Sequence, residues 1–169
     1  MKDAYVYARV LRQAASEAGS LFIVNDRCDL AMAVNADGVH LGQDDLPVAY
    51  ARTLLGPDKI IGLSTHDMAQ VRAAEIARPN YIGFGPIYST STKADHDPVV
   101  GLQGLAAARA LTTLPIFAIG GITAESAGDV IAAGADGVAV ISAILNASDS
   151  TAAVRTFQQS LSILNRPDP

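Results

Sequence analysis

Short apolar segments alternate with helical patterns along almost the whole chain, and this alternation limits the possible folds more than any other feature. Six segments have the length and residue types of buried strands, and each precedes a segment with helical spacing. Such repeats form right-handed parallel crossovers, so the sequence predicts an α/β fold, either a doubly wound sheet or a (β/α) barrel. The predicted strands are 21–24, 38–41, 59–63, 81–85, 115–119 and 137–141. The predicted helices are 3–18, 29–34, 47–55, 68–77, 102–111, 124–133 and 151–164.

One turn sequence occurs twice, which adds a barrel-like regularity. Residues 35–38 read Asn-Ala-Asp-Gly and residues 134–137 read Gly-Ala-Asp-Gly, each between a predicted helix and a predicted strand. No linker, low-complexity segment or second core is visible in the sequence. We therefore expect residues 1–164 to form a single, partial barrel domain, followed by a tail at 165–169.

Composition and charge exclude several classes of protein. Half of the 169 residues are hydrophobic and only 5% are aromatic, as expected for parallel strands buried on both faces. The net charge of −5 argues against a nucleic-acid surface or a basic membrane patch. Cys28 is the only cysteine, and the longest apolar run, 138–145, is too short to cross a bilayer. The sequence predicts a cytoplasmic protein with no nucleic-acid or membrane partner.

Polar residues gather at the carboxyl ends of the predicted strands, whereas the opposite ends carry mostly Pro, Gly and Asp. In a β/α barrel the carboxyl face is where the active site is assembled. The clusters are Asn25-Asp26, His40 with 43–45, 64–66, 90–93, Gly120-Gly121 and Ser142.

Three of these clusters indicate a phosphorylated ligand. Residues 89–93 combine four hydroxyl groups with the ammonium of Lys93 just after a predicted strand. Gly120-Gly121 lets backbone N–H groups approach an anion, and Ser142 adds a donor at the next strand. A solvated loop and a tight turn that needs glycine remain the structural alternatives.

Two acidic residues on neighbouring strands suit a metal ion. Asp26 and Asp45 offer hard oxygen ligands for Mg²⁺, together with water and a substrate phosphate; alternatively, they cap the helices that follow. His40 either meets a ligand or completes the edge of the core. His66 is interpreted as a hydrogen-bonding residue at a helix entry, and His96 as a solvated side chain.

Six segments together resemble the thiamine phosphate synthase family in order and spacing. They are VNDRCDLA (24–31), ADGVHLGQDDLP (36–47), IGLSTH (61–66), YIGFGPIYSTSTK (81–93), AIGGIT (118–123) and GADGVAVISAI (134–144). That family is a (β/α)8 barrel that joins hydroxymethylpyrimidine diphosphate to thiazole phosphate and releases pyrophosphate with Mg²⁺. The resemblance therefore implies a TIM-type (β/α) barrel and a transferase of thiamine biosynthesis.

The resemblance also implies a role for individual residues. Asp26 and Asp45 would hold Mg²⁺, and His40 would line the pyrimidine pocket. Asn25, Ser64 and Lys93 would contact the pyrophosphate, with Ser64 and Lys93 the catalytic pair. The residues implied to bind the thiazole phosphate are Thr90, Thr92, Gly121, Ile141 and Ser142. No protein nucleophile is required, because the electron-rich pyrimidine can stabilise the cation left by the departing pyrophosphate.

Two alternatives belong to the same superfamily. Thiazole tautomerases carry a histidine just after the central strand, where this chain has Pro86, so the sequence favours the synthase. The other alternative is a non-catalytic phosphate-binding or regulatory remnant that senses thiamine precursors.

The sequence departs from the family at its front. It shows about six βα units and a leading helix, without the family's first two strands or the Gln-x-Arg-x-Lys motif on the second. A barrel of this kind has open edges at 21–24 and 137–141. A late start codon, a fragment, or a chain that pairs with a partner, including a homo-oligomer, would each explain this departure.

Overall fold

A computed structural model of the chain describes residues 2–90 and 98–162. Strands and helices alternate in the predicted order. The strands are β1 Ile23–Asn25, β2 Gly38–Leu41, β3 Ile60–Thr65, β4 Tyr81–Phe84, β5 Ile116–Ile119 and β6 Gly137–Ala139. The helices are α1 Lys2–Glu17, α2 Cys28–Ala33, α3 Val48–Leu55, α4 Met68–Ala77, α5 Gly101–Arg109, α6 Ala127–Ala132, α7 Ser142–Leu145 and α8 Ser150–Ser162. Among the described residues, no helix combines the length and apolar character needed to span a membrane.

The chain divides into two compact units, Met1–Ser64 with Ala74–Tyr81 and Thr65–Ala73 with Ile82–Pro169. In the first unit, β1, β2 and β3 pair in parallel, with Asn25 opposite His40 and His40 opposite Gly62. In the second unit, β4, β5 and β6 also pair in parallel. The register within each unit brings the carboxyl ends of its strands to one edge. The predicted extent of a single domain, 1–164, stays a prediction.

Each unit has a core built from the inward side chains of its strands and the small residues of its helices. Val39, Leu41 and Ile61 are fully buried in the first unit, against Ala31 and Ala51 of the helices. Burial of each Val, Leu or Ile side chain contributes about 1.5–3 kcal/mol. In the second unit the largest fully buried apolar side chains are those of Ile82, Phe84, Ile87, Leu105, Ile116, Val71 and Val130.

The first copy of the repeated turn is held by an arginine–aspartate pair. Asp37 accepts a hydrogen bond from the N–H of Phe22 at 2.8 Å and pairs with the Arg12 guanidinium at 3.2 Å. Arg12 also donates to the carbonyl of Asn35 at 3.0 Å. This aspartate therefore ties the turn to the beginning of β1 and to α1.

The second copy uses the same arrangement. Asp136 accepts a hydrogen bond from the N–H of Ile116 at 2.8 Å and pairs with Arg109 at 3.0 Å. Arg109 also donates to the carbonyl of Leu114 at 3.0 Å. The prediction that the two turns have the same structure is confirmed.

Several predicted boundaries are wrong by a few residues. The first strand begins at Ile23 because the N–H of Phe22 is bound by the Asp37 side chain. The last strand ends at Ala139, since the chain turns into the unpredicted helix α7, where Leu145 donates to the carbonyl of Ile141 at 2.9 Å. The sixth helix begins at Ala127 and not at 124.

Candidate active site

A hydrogen-bonded relay lies at the carboxyl ends of β2 and β3 in the first unit. The Nε2 atom of His40 is 2.9 Å from the Ser64 hydroxyl, and its Nδ1 atom is 2.9 Å from the hydroxyl of Tyr81. Gln43 donates to the carbonyl of Ser64 and so fixes the backbone beside that hydroxyl. His40 is thus partnered at both ring nitrogens, and both His40 and Ser64 stand one residue before the end of their strands.

A glycine makes room for this relay. A Cβ atom on Gly62 would lie 2.2 Å from Cζ of Tyr81 and 2.5 Å from Nδ1 of His40. The two rings therefore lie across Gly62, with centroids 5.4 Å apart and planes inclined by 30°. Burial raises the pKa of the Tyr81 phenol, which keeps this hydroxyl protonated. The sequence interpretation missed Tyr81, although a glycine inside a strand signals a close approach of this kind.

Asp26 lies directly after β1 in a backbone conformation that few residues adopt. Its φ is +63°, and its N–H donates to the carbonyl of His40 at 2.8 Å. A non-glycine residue in this region costs about 1–3 kcal/mol, and such strain concentrates at functional sites. The N-cap of α2 is Arg27, so neither Asn25 nor Asp26 occupies the predicted capping position.

Asp45 is held within its own loop. Its Oδ2 atom accepts a hydrogen bond from the N–H of Gly42 at 2.7 Å. The N-cap of α3 is Pro47, without a side-chain cap, so the alternative in which Asp45 caps that helix is wrong. The pKa of Cys28 is raised by burial first and then by the charges of Asp29 and Asp45. The charge of Asp45 is therefore felt at Cys28, the first residue of α2, which lies two residues after Asp26.

The two aspartates fit a magnesium ion only in part. Carboxylate oxygens are the ligands Mg²⁺ prefers, and it usually keeps several waters or substrate phosphates in addition. Within 2–90 and 98–162, no group of three His, Cys, Asp or Glu residues is arranged to hold a metal by itself. Asp26 and Asp45 would thus supply two ligands and leave the others to water and substrate.

A second cluster of predicted residues lies in the second unit, after β4 and β5. The N–H groups of Ile87 and Tyr88 donate to the carbonyls of Ile119 and Gly120 at 2.9 and 3.0 Å. Gly121 has φ +66°, and a Cβ atom there would lie 2.5 Å from the Ser89 carbonyl oxygen. The turn therefore needs glycine for steric reasons, and it brings Gly121 against the backbone that leads directly into Thr90.

The remaining predicted residues fall into two groups. Ile141 and Ser142 are exposed at the start of α7, and Ile141 is its N-cap residue. Thr92, Lys93 and His96 lie outside the described residues. Their predicted roles stay predictions.

His66 departs from its predicted role in one respect. Its N–H donates to the Gln70 side chain at 2.7 Å, as expected for a residue at a helix entry. Its ring points elsewhere, since Nδ1 lies 2.7 Å from the carbonyl oxygen of Gly85. The ring thus contacts the turn after β4.

Comparison with known proteins places this arrangement in a family. A family model described as thiamine monophosphate synthase matches residues 1–144. The thiamine-phosphate synthase of Moorella thermoacetica is 50% identical over 151 residues, which are 89% of this chain and 72% of that protein. That of Laribacter hongkongensis is 51% identical over 148 residues, 88% of this chain and 70% of that protein.

A solved structure agrees with these relatives. The thiamine phosphate pyrophosphorylase from Pyrococcus furiosus superposes with a TM-score of 0.89 at 35% identity. The match covers 98% of this chain and 79% of that chain. The predicted α/β fold of the TIM-barrel type is confirmed by this likeness.

Proposed function

The chain belongs to the thiamine monophosphate synthase family, a family of transferases, and we propose that it joins hydroxymethylpyrimidine diphosphate to thiazole phosphate and releases pyrophosphate. The observation that carries the proposal is the family match, which spans both units. Polar groups at the carboxyl ends of β1–β3 support it, because both substrates carry charged phosphates that need local partners on an acidic chain.

The relay of the first unit supports a role for Ser64 on the departing pyrophosphate. A hydroxyl already bound to His40 Nε2 is held in one orientation before the substrate arrives. Tyr81, the first residue of β4, binds the other ring nitrogen of His40 and so holds the imidazole in place. We assign Ser64 and Asn25 to the pyrophosphate and His40 to the pyrimidine pocket.

Asp26 and Asp45 are the residues that would hold Mg²⁺. When bound, the metal would neutralise charge on the pyrophosphate as it leaves. The chain's own contribution is to hold the two carboxylates, Asp26 through a constrained backbone and Asp45 through its bond from Gly42. Lys93, which follows β4 in the sequence, is proposed to add a positive charge to the same leaving group.

The second unit supplies the proposed thiazole phosphate subsite. Gly121 lies against the backbone of Ser89, and without a side chain it lets an anion approach the backbone closely. Ser142 at the start of α7 offers an exposed hydroxyl. The other residues that we assign to this subsite are Thr90, Thr92 and Ile141.

The test is product formation by the purified 169-residue chain with both substrates and Mg²⁺. We expect thiamine phosphate to form, and we expect Lys93→Ala and Asp26→Ala to reduce its rate by about 100-fold or more. Addition of EDTA should stop the reaction, and added Mg²⁺ should restore it.

Two results would contradict the proposal. No product from the wild-type chain, with thiazole phosphate still bound, would instead indicate the non-catalytic phosphate-binding protein. Product that is unaffected by EDTA or by Asp26→Ala would remove the metal from the assignment.

A further inference from the structure

We propose that His66 is a positioning residue for the thiazole phosphate subsite, an inference that rests on the proposed function. His66 directly follows the last residue of β3, and its Nδ1 atom is 2.7 Å from the carbonyl oxygen of Gly85. Because a carbonyl oxygen can only accept, Nδ1 carries the proton and donates. The ring therefore binds the first residue after β4.

The neighbouring residue of β3 binds the same turn. The N–H of Gly85 donates to the carbonyl of Thr65 at 3.3 Å, and the Thr65 hydroxyl donates to the carbonyl of Gly83 at 3.1 Å. Thr65 is fully buried. Both backbone polar groups of Gly85 are thus taken by two consecutive residues, Thr65 and His66.

The turn that begins at Gly85 carries the backbone of the proposed subsite. Two residues further on, the N–H of Ile87 is bound by the carbonyl of Ile119 at 2.9 Å. The carbonyl oxygen of Ser89 then lies where a side chain on Gly121 would be, so the two backbones are in contact. A shift of the turn at Gly85 would be transmitted to Ser89 and would change the space above Gly121, because close-packed backbone has little room to absorb it.

The backbone of His66 is bound to the helix that follows it. The backbone N–H of His66 donates to Oε1 of Gln70 at 2.7 Å, and the backbone N–H of Gln70 donates to the Asp67 carboxylate at 2.8 Å. These bonds fix His66 to the first turn of α4. The side chain is half-buried, so loss of its bond to Gly85 would leave a partly desolvated carbonyl oxygen without this donor, which is costly.

Two substitutions separate the hydrogen bond from the volume of the ring. His66→Asn keeps an N–H donor at nearly the position of Nδ1, whereas His66→Phe keeps the ring and removes the donor. We would measure binding of thiazole phosphate to the full chain by calorimetry, and the KM of each substrate where product forms. Thermal melting would show that both variants are folded.

We expect His66→Phe to weaken thiazole phosphate binding by about 10-fold to 100-fold, the usual effect of a misplaced binding group. His66→Asn should stay close to the wild-type value, and the KM of the pyrimidine diphosphate should change little in either variant. The difference between the two substrates is the informative result, since general damage to the fold would weaken the binding of both.

The opposite results overturn the inference. Wild-type affinity in His66→Phe, an equal loss in His66→Asn, or an equal loss for both substrates would each show that His66 does not position this subsite. The binding series does not depend on turnover. A wild-type chain that binds thiazole phosphate but forms no product would contradict the proposed function and still test His66. A chain that does not bind it would overturn the subsite as well.

Discussion

The imidazole of His40 bridges Ser64 to Tyr81, with 2.9 Å on either side. These three residues come from β2, β3 and the first position of β4. Since Ser64 and Tyr81 bind the two nitrogens of one ring, the orientation of the Ser64 hydroxyl is linked to Tyr81, although the two do not neighbour each other in sequence. The relay links a residue at the carboxyl end of a strand to one at the amino end of another.

The phenol of Tyr81 should make stability depend on pH in the alkaline range. Burial raises its pKa above the value of about 10 that it has in the unfolded chain. Above pH 10 the unfolded chain therefore loses this proton first, so stability is complete below that pH and falls as pH rises through the folded pKa. Urea unfolding from pH 8 to 11 should show a steeper loss in the wild type than in Tyr81→Phe. Equal slopes would contradict this, since the other four tyrosines are common to both proteins.

Removal of the Tyr81 hydroxyl should also affect catalysis through His40. Tyr81→Phe leaves Nδ1 of His40 without this partner, which costs about 1–3 kcal/mol in a half-buried group. We expect a higher KM for the pyrimidine diphosphate with little change for thiazole phosphate. Steady-state kinetics measure both constants. Tyr50→Phe, at an exposed tyrosine on α3, is the matched control and should behave as the wild type.

The alternation of strands and helices was predictable because buried parallel strands read as short apolar runs. The second strand, 38–41, was predicted to the residue, since glycine and aspartate mark its start and polar residues mark its end. Boundaries failed where side chains bind the backbone. The carboxylate of Asp37 binds the N–H of Phe22, and no local pattern signals that contact over fifteen positions.

The roles of the predicted site residues stay predictions, and the sequence indicated their position at the strand ends more readily than their contacts. Residue types at strand ends indicated His40, Ser64, Asp26 and Asp45 because barrel chemistry collects at that edge. Tyr81 was missed since it lies at the amino end of its strand, where no site residues were expected; it reaches His40 across Gly62. Gly62, which leaves room for the two rings, is visible in the sequence, but the sequence does not indicate which side chains occupy that space.

Asp26 should show a conflict between stability and activity. Its φ of +63° is unfavourable for an aspartate, whereas glycine adopts it freely. Asp26→Gly should therefore leave the free energy of unfolding within about 1 kcal/mol of the wild type while lowering kcat/KM by about 100-fold. Chemical denaturation and steady-state kinetics on the same sample measure the two quantities. A variant that keeps wild-type activity would contradict the assignment of Asp26 to the metal, and one that unfolds much more easily would contradict the backbone argument.

Substitution by alanine should be much more harmful at Gly121 than at Gly19, a glycine with the same backbone conformation. Both Gly121 and Gly19 have φ +66°, but a Cβ atom on Gly19 would have no neighbour within 4 Å. Alanine at either position costs about 1–2 kcal/mol for its left-handed backbone, and only at Gly121 does it also collide with Ser89. We expect Gly121→Ala to weaken thiazole phosphate binding by at least about tenfold, as judged by calorimetry, and Gly19→Ala to leave it unchanged. Equal binding in the two variants would remove Gly121 from the subsite.

The two arginine–aspartate turns should each stabilise the fold by a similar amount, and neither should affect catalysis. Asp37→Ala and Asp136→Ala each leave a backbone N–H, of Phe22 or Ile116, without its acceptor, which costs about 1–3 kcal/mol. The ion pairs themselves are partly exposed and should add less than about 1 kcal/mol.

Asparagine at the same two positions separates these contributions. Asp37→Asn and Asp136→Asn keep an oxygen acceptor for the N–H and lose only the charge, so we expect each to recover most of the stability lost in the alanine variant. Urea unfolding measures all four proteins, with Asp58→Ala, at an exposed turn, as a control expected within about 0.5 kcal/mol of the wild type. If the asparagine variants were as unstable as the alanine variants, the charge of the pair with Arg12 or Arg109 would hold the turns, and the hydrogen bond to the strand would be secondary.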